Sequence, residues 1–97
     1  MEAVISDLVF AELVWVMKSF YKMSPGDIFT TLSFLLNLRG LKVSNRTLLI
    51  EALSNYAAKN VDFIDAYNAA FMRHHSINTI FSYDRDFDRL GVDRREP

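Results

Sequence analysis

Two pairs of aspartates in the second half of the chain are the residues best suited to chemistry. Asp62 and Asp65 are three residues apart at the start of an expected helix and share one of its faces. Asp84 and Asp86 come just after the apolar run 77–81, which has the character of a strand. If that strand is parallel to its neighbours, both pairs meet at the carboxyl edge of a sheet, where open α/β proteins bind ligands. Carboxylates gathered there repel one another unless a cation neutralises them, and oxygen ligands suit Mg²⁺ or Mn²⁺.

Glu12 is a third candidate because it interrupts a helical run, Leu8 to Met17, that is otherwise apolar. An ionised carboxylate in such company is costly unless it is partnered or hydrated. Two interpretations follow: a position that faces solvent, or a site carboxylate at the rim of a cleft. Since the rest of the run is apolar, we expect this helix to be covered on nearly all sides. We also expect Trp15 and the phenylalanines to belong to the core rather than to act as stacking platforms.

The aspartates also have ordinary structural interpretations. Asp62 is well placed as a helix N-cap, Asp84 could cap the short turn after the strand, and Asp86 fits either role. We favour capping for Asp62 and a site role for Asp84, whose position at the strand end is where a metal ligand would stand. We also favour a site role for Asp65, because it begins a face of small residues that should lie against the sheet. That face consists of Ala66, Ala69 and Ala70.

Basic residues are concentrated in the last quarter of the chain, beside the acidic pairs. Arg73, Arg85 and Arg89 could guide an RNA backbone to a metal site, although a solvated charged face explains them nearly as well. Asp88 is expected to pair with Arg85 or Arg89. Ser82 stands two residues before Asp84 and could orient it or a metal-bound water.

Composition limits the class of protein. The 97 residues suit one globular domain, and the net charge of −1 provides no overall attraction to nucleic acid. The absence of Cys excludes disulfides, thiolate metal sites and Cys nucleophiles, and fits a reducing cytoplasm. No signal peptide is recognisable, and Glu12 interrupts the longest apolar run before it could span a bilayer. We therefore expect a soluble cytoplasmic protein.

Short strands alternate with helices along the chain. Strands are predicted at 3–5 and 41–43, a buried strand is predicted at 77–83, and residues 91–92 lead to a last edge strand or a tail. Helices are predicted from about 7 to 21, 25 to 39, 45 to 60 and 62 to 75, and over the single turn 84–90. The expected helix N-caps are Ser6 or Asp7, Ser24, and Ser44 or Asn45, and Asn60 is the expected C-cap of the third helix. This alternation predicts a single α/β domain over residues 1–97 that is rich in helix and has a small, mostly parallel sheet.

Three segments together resemble the PIN domain family, most closely the toxin ribonucleases called VapC. Segment 5–16 looks like the family's strand-to-helix entry with its helical glutamate. Segment 61–66 looks like its helix-opening aspartate motif, and segment 80–87 like its last strand with a hydroxyl and an acid. The three occur in the family's order and spacing over almost the whole chain.

The resemblance implies an incomplete three-layer PIN fold and a metal-dependent endoribonuclease. Glu12, Asp65 and Asp84 would hold one or two Mg²⁺ or Mn²⁺ ions, which activate a water and stabilise charge on the scissile phosphodiester. Asp62 and Asp86 would be supporting acids beside these ligands, and Ser82 would position the Asp84 region. The resemblance also implies RNA as substrate and an antitoxin protein as partner.

One departure from the family pattern shapes these expectations. Family members begin with a central strand that ends in an aspartate, usually within Asp-Thr-Asn, whereas Met1 falls where the second strand is expected. We expect weak metal binding and impaired cleavage for this chain, and self-association through uncovered strand edges. The alternatives are a non-catalytic PIN-derived module for interaction or dimerisation, and a plain α/β domain whose aspartates are all helix caps.

Overall fold

The structure is a computed structural model that describes residues 2–97, so Met1 lies outside the described residues. Its elements in chain order are β1 (Ala3–Val4), α1 (Asp7–Ser19), α2 (Pro25–Leu36), β2 (Leu41–Lys42), α3 (Arg46–Lys59), α4 (Phe63–His74), β3 (Thr79–Phe81), α5 (Asp86–Arg89) and β4 (Asp93–Arg95). Helices dominate and the strands are very short. The predicted helix-rich α/β class is confirmed.

Both strand pairs are parallel, but they do not form one sheet in the described part of the chain. β1 pairs with β2, and β3 pairs with β4. The prediction of a buried strand over 77–83 is wrong, since Ile77, Phe81 and Tyr83 are 47%, 69% and 69% exposed. The reason is that β3 has a single strand neighbour within residues 2–97 and is only partly covered by helices.

The helices begin at the residues that the sequence predicts, because side chains there satisfy free backbone N–H groups. Ser6 accepts a hydrogen bond from the Val9 N–H at 3.2 Å, and Ser24 accepts one from Asp27 at 3.2 Å. Asn45 opens α3 in the same way. Asn60 ends α3 in the left-handed region, with φ 52° and ψ 53°, and this turn brings the chain directly into α4.

The core lies among the first four helices, and α4 packs chiefly against α3. Its largest fully buried side chains are Phe10, Ile28, Leu32, Leu36, Leu49 and Leu53. Ala66 and Ala70 of α4 are fully buried, which allows the close approach expected of small residues. The expectation that this face lies against the sheet is wrong, because the main partner of α4 is another helix.

Helix α1 packs through one face only. Phe10 and Val14 are buried, whereas Leu8 is 70% and Trp15 is 66% exposed. The expectations of a helix covered on nearly all sides and of Trp15 in the core are therefore wrong. The physical reason is that α1 contacts mainly α2 and α4, which lie on its buried side. None of the helices within residues 2–97 has the length and hydropathy needed to cross a membrane.

Candidate metal centre

Four aspartates from two separate parts of the chain meet beside the start of α4. Asp62 precedes the helix and Asp65 lies in its first turn, while Asp84 and Asp86 follow the carboxyl end of β3. One carboxylate oxygen from each can be chosen so that all four lie within 4.8 Å of one another. The predicted meeting of the two acidic pairs is thus present in the structure.

A run of hydrogen bonds fixes three of these residues relative to one another. Ser82 Oγ accepts from the Asp84 N–H at 3.0 Å, and Asp84 Oδ1 accepts from the Asp86 N–H at 2.9 Å. Asp86 Oδ2 in turn accepts from the Asp62 N–H at 3.1 Å. Side chains of Ser and Asp commonly bond the backbone two residues on, so the local spacing favours this arrangement. The last bond ties the start of α5 to the start of α4.

Asp65 is the buried member of the cluster, with 9% of its surface exposed. Its Oδ2 has no hydrogen-bond partner within residues 2–97. The small residues that follow it allow α4 to sit close to α3, and Asp65 lies on the buried side of the first turn of α4. A buried carboxylate with an unpartnered oxygen and other carboxylates nearby is costly when ionised.

The electrostatics of Asp65 and Asp84 differ as a consequence. Burial, and after it the neighbouring carboxylates of Asp84 and Asp86, together raise the pKa of Asp65 to about 8. The pKa of Asp84 is lowered, first because the Asp65 carboxyl donates to it and then because the Asp86 N–H does. Arg89 and Arg94 add favourable charge. At neutral pH the pair therefore shares one proton, held mainly by Asp65.

Asp62 and Asp86 each have a cationic neighbour. Lys18 Nζ lies 3.7 Å from Asp62, and Arg89 Nη1 lies 3.2 Å from Asp86. Asp62 stands at the N-cap position of α4, as its capping interpretation requires, but within residues 2–97 its side chain makes no capping hydrogen bond.

The four carboxylates suit a divalent cation. Comparison of the whole chain with known protein families gives a match. The PIN domain family model matches residues 1–93. The chain belongs to the PIN domain family. PIN domains are nucleases that act on RNA, typically with divalent metal ions. No curated protein and no solved structure gives a significant match to this PIN domain.

The predicted glutamate of this PIN domain lies apart from the aspartates. Glu12 is exposed on α1 and is not a member of the four-carboxylate cluster. Phe10 and Val14, two residues away on either side, are both buried and lie about 200° around the helix from it. Of the three predicted ligands, the structure brings together Asp65 and Asp84. The ligand role of Glu12 stays a prediction.

The basic residues are distributed unevenly around the cluster. Arg89 is adjacent to it, and Arg85 is exposed between Asp84 and Asp86. Arg73 instead pairs with Glu51 at 3.1 Å on the α3–α4 side. The predicted pairing of Asp88 with Arg85 or Arg89 is wrong. Asp88 instead pairs with Arg94 of the neighbouring strand β4, whose Nε lies 2.9 Å from Asp88 Oδ1.

Sequence reasoning missed the cavity beside the cluster. This cavity of about 410 Å³ is lined in part by Asp62, Asp65 and Asp84. Trp15, Lys18 and Tyr56 are among the other residues that line it. A signal was available, since Ala11, Trp15 and Lys18 recur at helical spacing on one face of α1. The uniform hydrophobicity of that helix hid this face.

Proposed function

We propose that this PIN domain is a metal-dependent endoribonuclease that hydrolyses phosphodiester bonds of RNA. The observation that supports this most directly is the environment of Asp65, a buried carboxylate beside Asp84 with one oxygen unpartnered in the described range 2–97. In such surroundings a carboxylate is stable either protonated or bound to a cation. A divalent cation would satisfy both carboxylates together.

The donor set fits a hard cation in its chemistry and spacing. Opposite oxygens in an octahedral Mg²⁺ shell are about 4.2 Å apart. The four aspartate oxygens already lie within 4.8 Å of one another, so a small contraction suffices. Oxygen ligands alone favour Mg²⁺ or Mn²⁺ over softer metals. We assign Asp65 and Asp84 as ligands and Asp62 and Asp86 as supporting acids.

The residues of the site have separate tasks in the proposed reaction. The bound ion would polarise the scissile phosphate and lower the pKa of a coordinated water. Asp65 and Asp84 hold it at the start of α4. Ser82 and the Asp86 N–H fix the orientation of Asp84 through bonds of 3.0 and 2.9 Å. Arg89 places positive charge beside the cluster, where it can attract the RNA backbone.

Replacement of Asp65 tests this function. We expect Asp65→Asn to weaken Mn²⁺ binding and to slow cleavage of single-stranded RNA by more than about 100-fold, the upper range for residues that merely support a ligand. Calorimetric titration measures the first and a gel assay the second. Asp27→Asn is a matched control, because Asp27 is an exposed aspartate in the first turn of α2. Unchanged Mn²⁺ affinity in Asp65→Asn contradicts the assignment.

A VapC-like toxin role, with an antitoxin and a homo-oligomer, is the finer part of the proposal. The three family-like segments, 5–16, 61–66 and 80–87, support this role. So does the apolar surface of α1 and the turn after it, where Leu8, Phe20 and Tyr21 are 70%, 76% and 66% exposed. Exposed apolar patches mark interaction sites. Sedimentation velocity should show association that grows with concentration and is weakened by Leu8→Ser but not by Leu38→Ser.

A non-catalytic interaction module is the second candidate. It is favoured by the exposure of Glu12, because a site that lacks this acid has fewer ligands for its ions. For the same reason we expect any cleavage by this chain to be slow. The two candidates separate at saturating Mn²⁺: cleavage that disappears in Asp65→Asn supports the nuclease, whereas metal binding with no cleavage supports the module.

A further inference from the structure

The cavity beside the acidic cluster is lined by two chemically different sets of residues. Asp62, Asp65 and Asp84 of the candidate metal centre line part of it. Another part of its wall comes from α1 and α3 and includes Trp15, Lys18 and Tyr56. Its volume of about 410 Å³ falls within the range of small-ligand sites. The metal site explains the acidic residues and leaves the aromatic and cationic residues unexplained.

Trp15 is the largest side chain on that wall and is 66% exposed. A flat apolar surface of this kind is well suited to stacking on a nucleobase, since every base has an accessible π face when it is unpaired. Lys18 lies one helical turn further along α1, where its side chain is 55% exposed and 3.7 Å from Asp62. An ammonium at this distance can bridge the acidic cluster and a phosphate group.

Tyr56 provides an independent sign that the wall accepts a ligand. The residue is 3% exposed, and its hydroxyl has no hydrogen-bond partner in the described residues. Buried polar groups are normally satisfied, so the hydroxyl of this cavity-lining residue is a donor left for a water or for an oxygen from outside the chain. Ribose and phosphate oxygens are acceptors of the right kind.

We propose that this cavity is a nucleotide subsite for single-stranded RNA, in which an unpaired base stacks on Trp15 and the adjoining phosphate meets Lys18. The inference rests on the proposed function, because it takes the acidic cluster as the position of the scissile phosphate. The specificity it confers is for unpaired strands rather than for a base sequence. Stacking is tolerant of base identity, and a duplex hides the faces that Trp15 needs.

The chain offers a direct readout, since Trp15 is its only tryptophan. Indole fluorescence is measured while a single-stranded oligouridylate is titrated in Ca²⁺, with the RNA checked afterwards for integrity. We expect saturable quenching by the single strand and little by an RNA duplex. In a cleavage assay Trp15→Ala should raise KM on the order of tenfold and leave kcat nearly unchanged. Trp15→Phe should recover most of the loss.

Matched variants separate stacking and charge from general effects. Phe34→Ala removes an aromatic side chain that is 71% exposed on α2 and does not line the cavity, and it should leave KM unchanged. Lys18→Gln should raise KM, whereas Lys42→Gln should not, because Lys42 pairs with Glu2 on the β1–β2 side. Thermal denaturation should show that each variant keeps its fold.

The outcomes distinguish the subsite from the nuclease. Cleavage with an unaltered KM in Trp15→Ala overturns the subsite and leaves the proposed function intact. Quenching by single-stranded RNA without any cleavage retains the subsite and rejects the nuclease. A blue shift of Trp15 that depends on protein concentration and not on RNA overturns the subsite, because a second copy of the chain then covers the indole.

Discussion

Asp65 and Glu12 are both acids in apolar helical surroundings, yet the fold gives them opposite environments. Asp65, in the first turn of α4, is 9% exposed and lies against Asp84. Glu12, near the middle of α1, is exposed on the side of the helix away from the core. The carboxylate of Asp65 is therefore desolvated and lies beside like charges, whereas that of Glu12 stays hydrated.

The difference shows that neighbours in space, rather than neighbours in sequence, make a carboxylate reactive. The residues that flank Glu12 are more apolar than those that flank Asp65. Asp65 nevertheless has the raised pKa, because α3 covers its helix and the segment after β3 places two more acids beside it. This contrast between the two acids can be tested at several levels.

The largest expected effect is on metal affinity as a function of pH. Asp65 must lose its proton before it can bind a cation, and its pKa is raised to about 8. The Kd for Mn²⁺ should therefore rise roughly tenfold for each pH unit below about 8. Titration calorimetry in buffers of different ionisation enthalpy should detect release of about one proton at pH 7. Glu12→Gln should keep this dependence, and a Kd that is constant from pH 6 to 8 would rule out Asp65 as a ligand.

The next effect is on stability without metal. The folded-state pKa of Asp65 lies above its ordinary value of 3.8, so folding favours the protonated form. The stability it contributes is complete below about pH 4 and is lost as pH rises to about 8, at no more than about 1.4 kcal/mol per unit. The lowered pKa of Asp84 acts in the opposite direction, but only as pH falls below the ordinary carboxyl range.

Urea unfolding in EDTA at pH 5 and pH 8 measures this loss. Asp65→Asn should flatten the dependence and make the metal-free protein more stable at pH 8, while Glu12→Gln should leave the dependence unchanged. Added Mn²⁺ should restore stability to the unaltered protein at pH 8. Equal stability of the unaltered protein at the two pH values would contradict the burial of an ionisable Asp65.

The fold was predictable wherever local chemistry decides it. Ser6, Ser24 and Asn45 each accept a backbone N–H at the predicted helix start, and Asn60 adopts the predicted left-handed turn. These interactions span no more than three or four residues, so spacing alone reveals them. Parallel pairing of the strands was also predicted and is confirmed.

Burial was less predictable because it depends on distant elements. A uniformly apolar α1 indicated a covered helix, yet Trp15 is 66% exposed. The same error made Trp15 a core residue and hid the cavity wall. Phe81 of β3 was expected to be buried and is 69% exposed. Hydrophobicity determines which residues can be buried. The elements that pack against them determine which residues actually are buried.

The candidate site was predictable as a meeting of two acidic pairs but not in its full membership. The helix-start position of Asp65 and the strand-end position of Asp84 led to their juxtaposition, given a parallel β3. Tyr56 and Lys18 could not be assigned, because their proximity depends on how α3 and α1 cross the start of α4. Glu12 resembles the family glutamate in sequence, and its environment depends on the rotation of α1.

A pair of leucine substitutions compares the two helices by packing alone. Ala70 is fully buried in the small-residue face of α4, so Ala70→Leu should overpack the contact with α3 and cost about 1–3 kcal/mol of unfolding free energy. Glu12→Leu adds a similar side chain at an exposed position and should stay within about 0.5 kcal/mol. Urea denaturation measures both. Equal costs at the two positions would mean that α1 is covered in solution, for example by a second copy.

The smallest expected effect belongs to Glu12→Gln, and it bears most directly on the contrast. Because the side chain is exposed and outside the cluster, removing its charge should change the unfolding free energy by less than about 0.5 kcal/mol. Cleavage and Mn²⁺ affinity should change by less than about twofold, since an exposed charge outside the cluster is screened by water and salt. A loss on the scale of Asp65→Asn, at unchanged stability, would show that α1 turns Glu12 toward the ions when metal and RNA bind. In that case the environment of Asp65 is built into the fold, and that of Glu12 is created by the ligands.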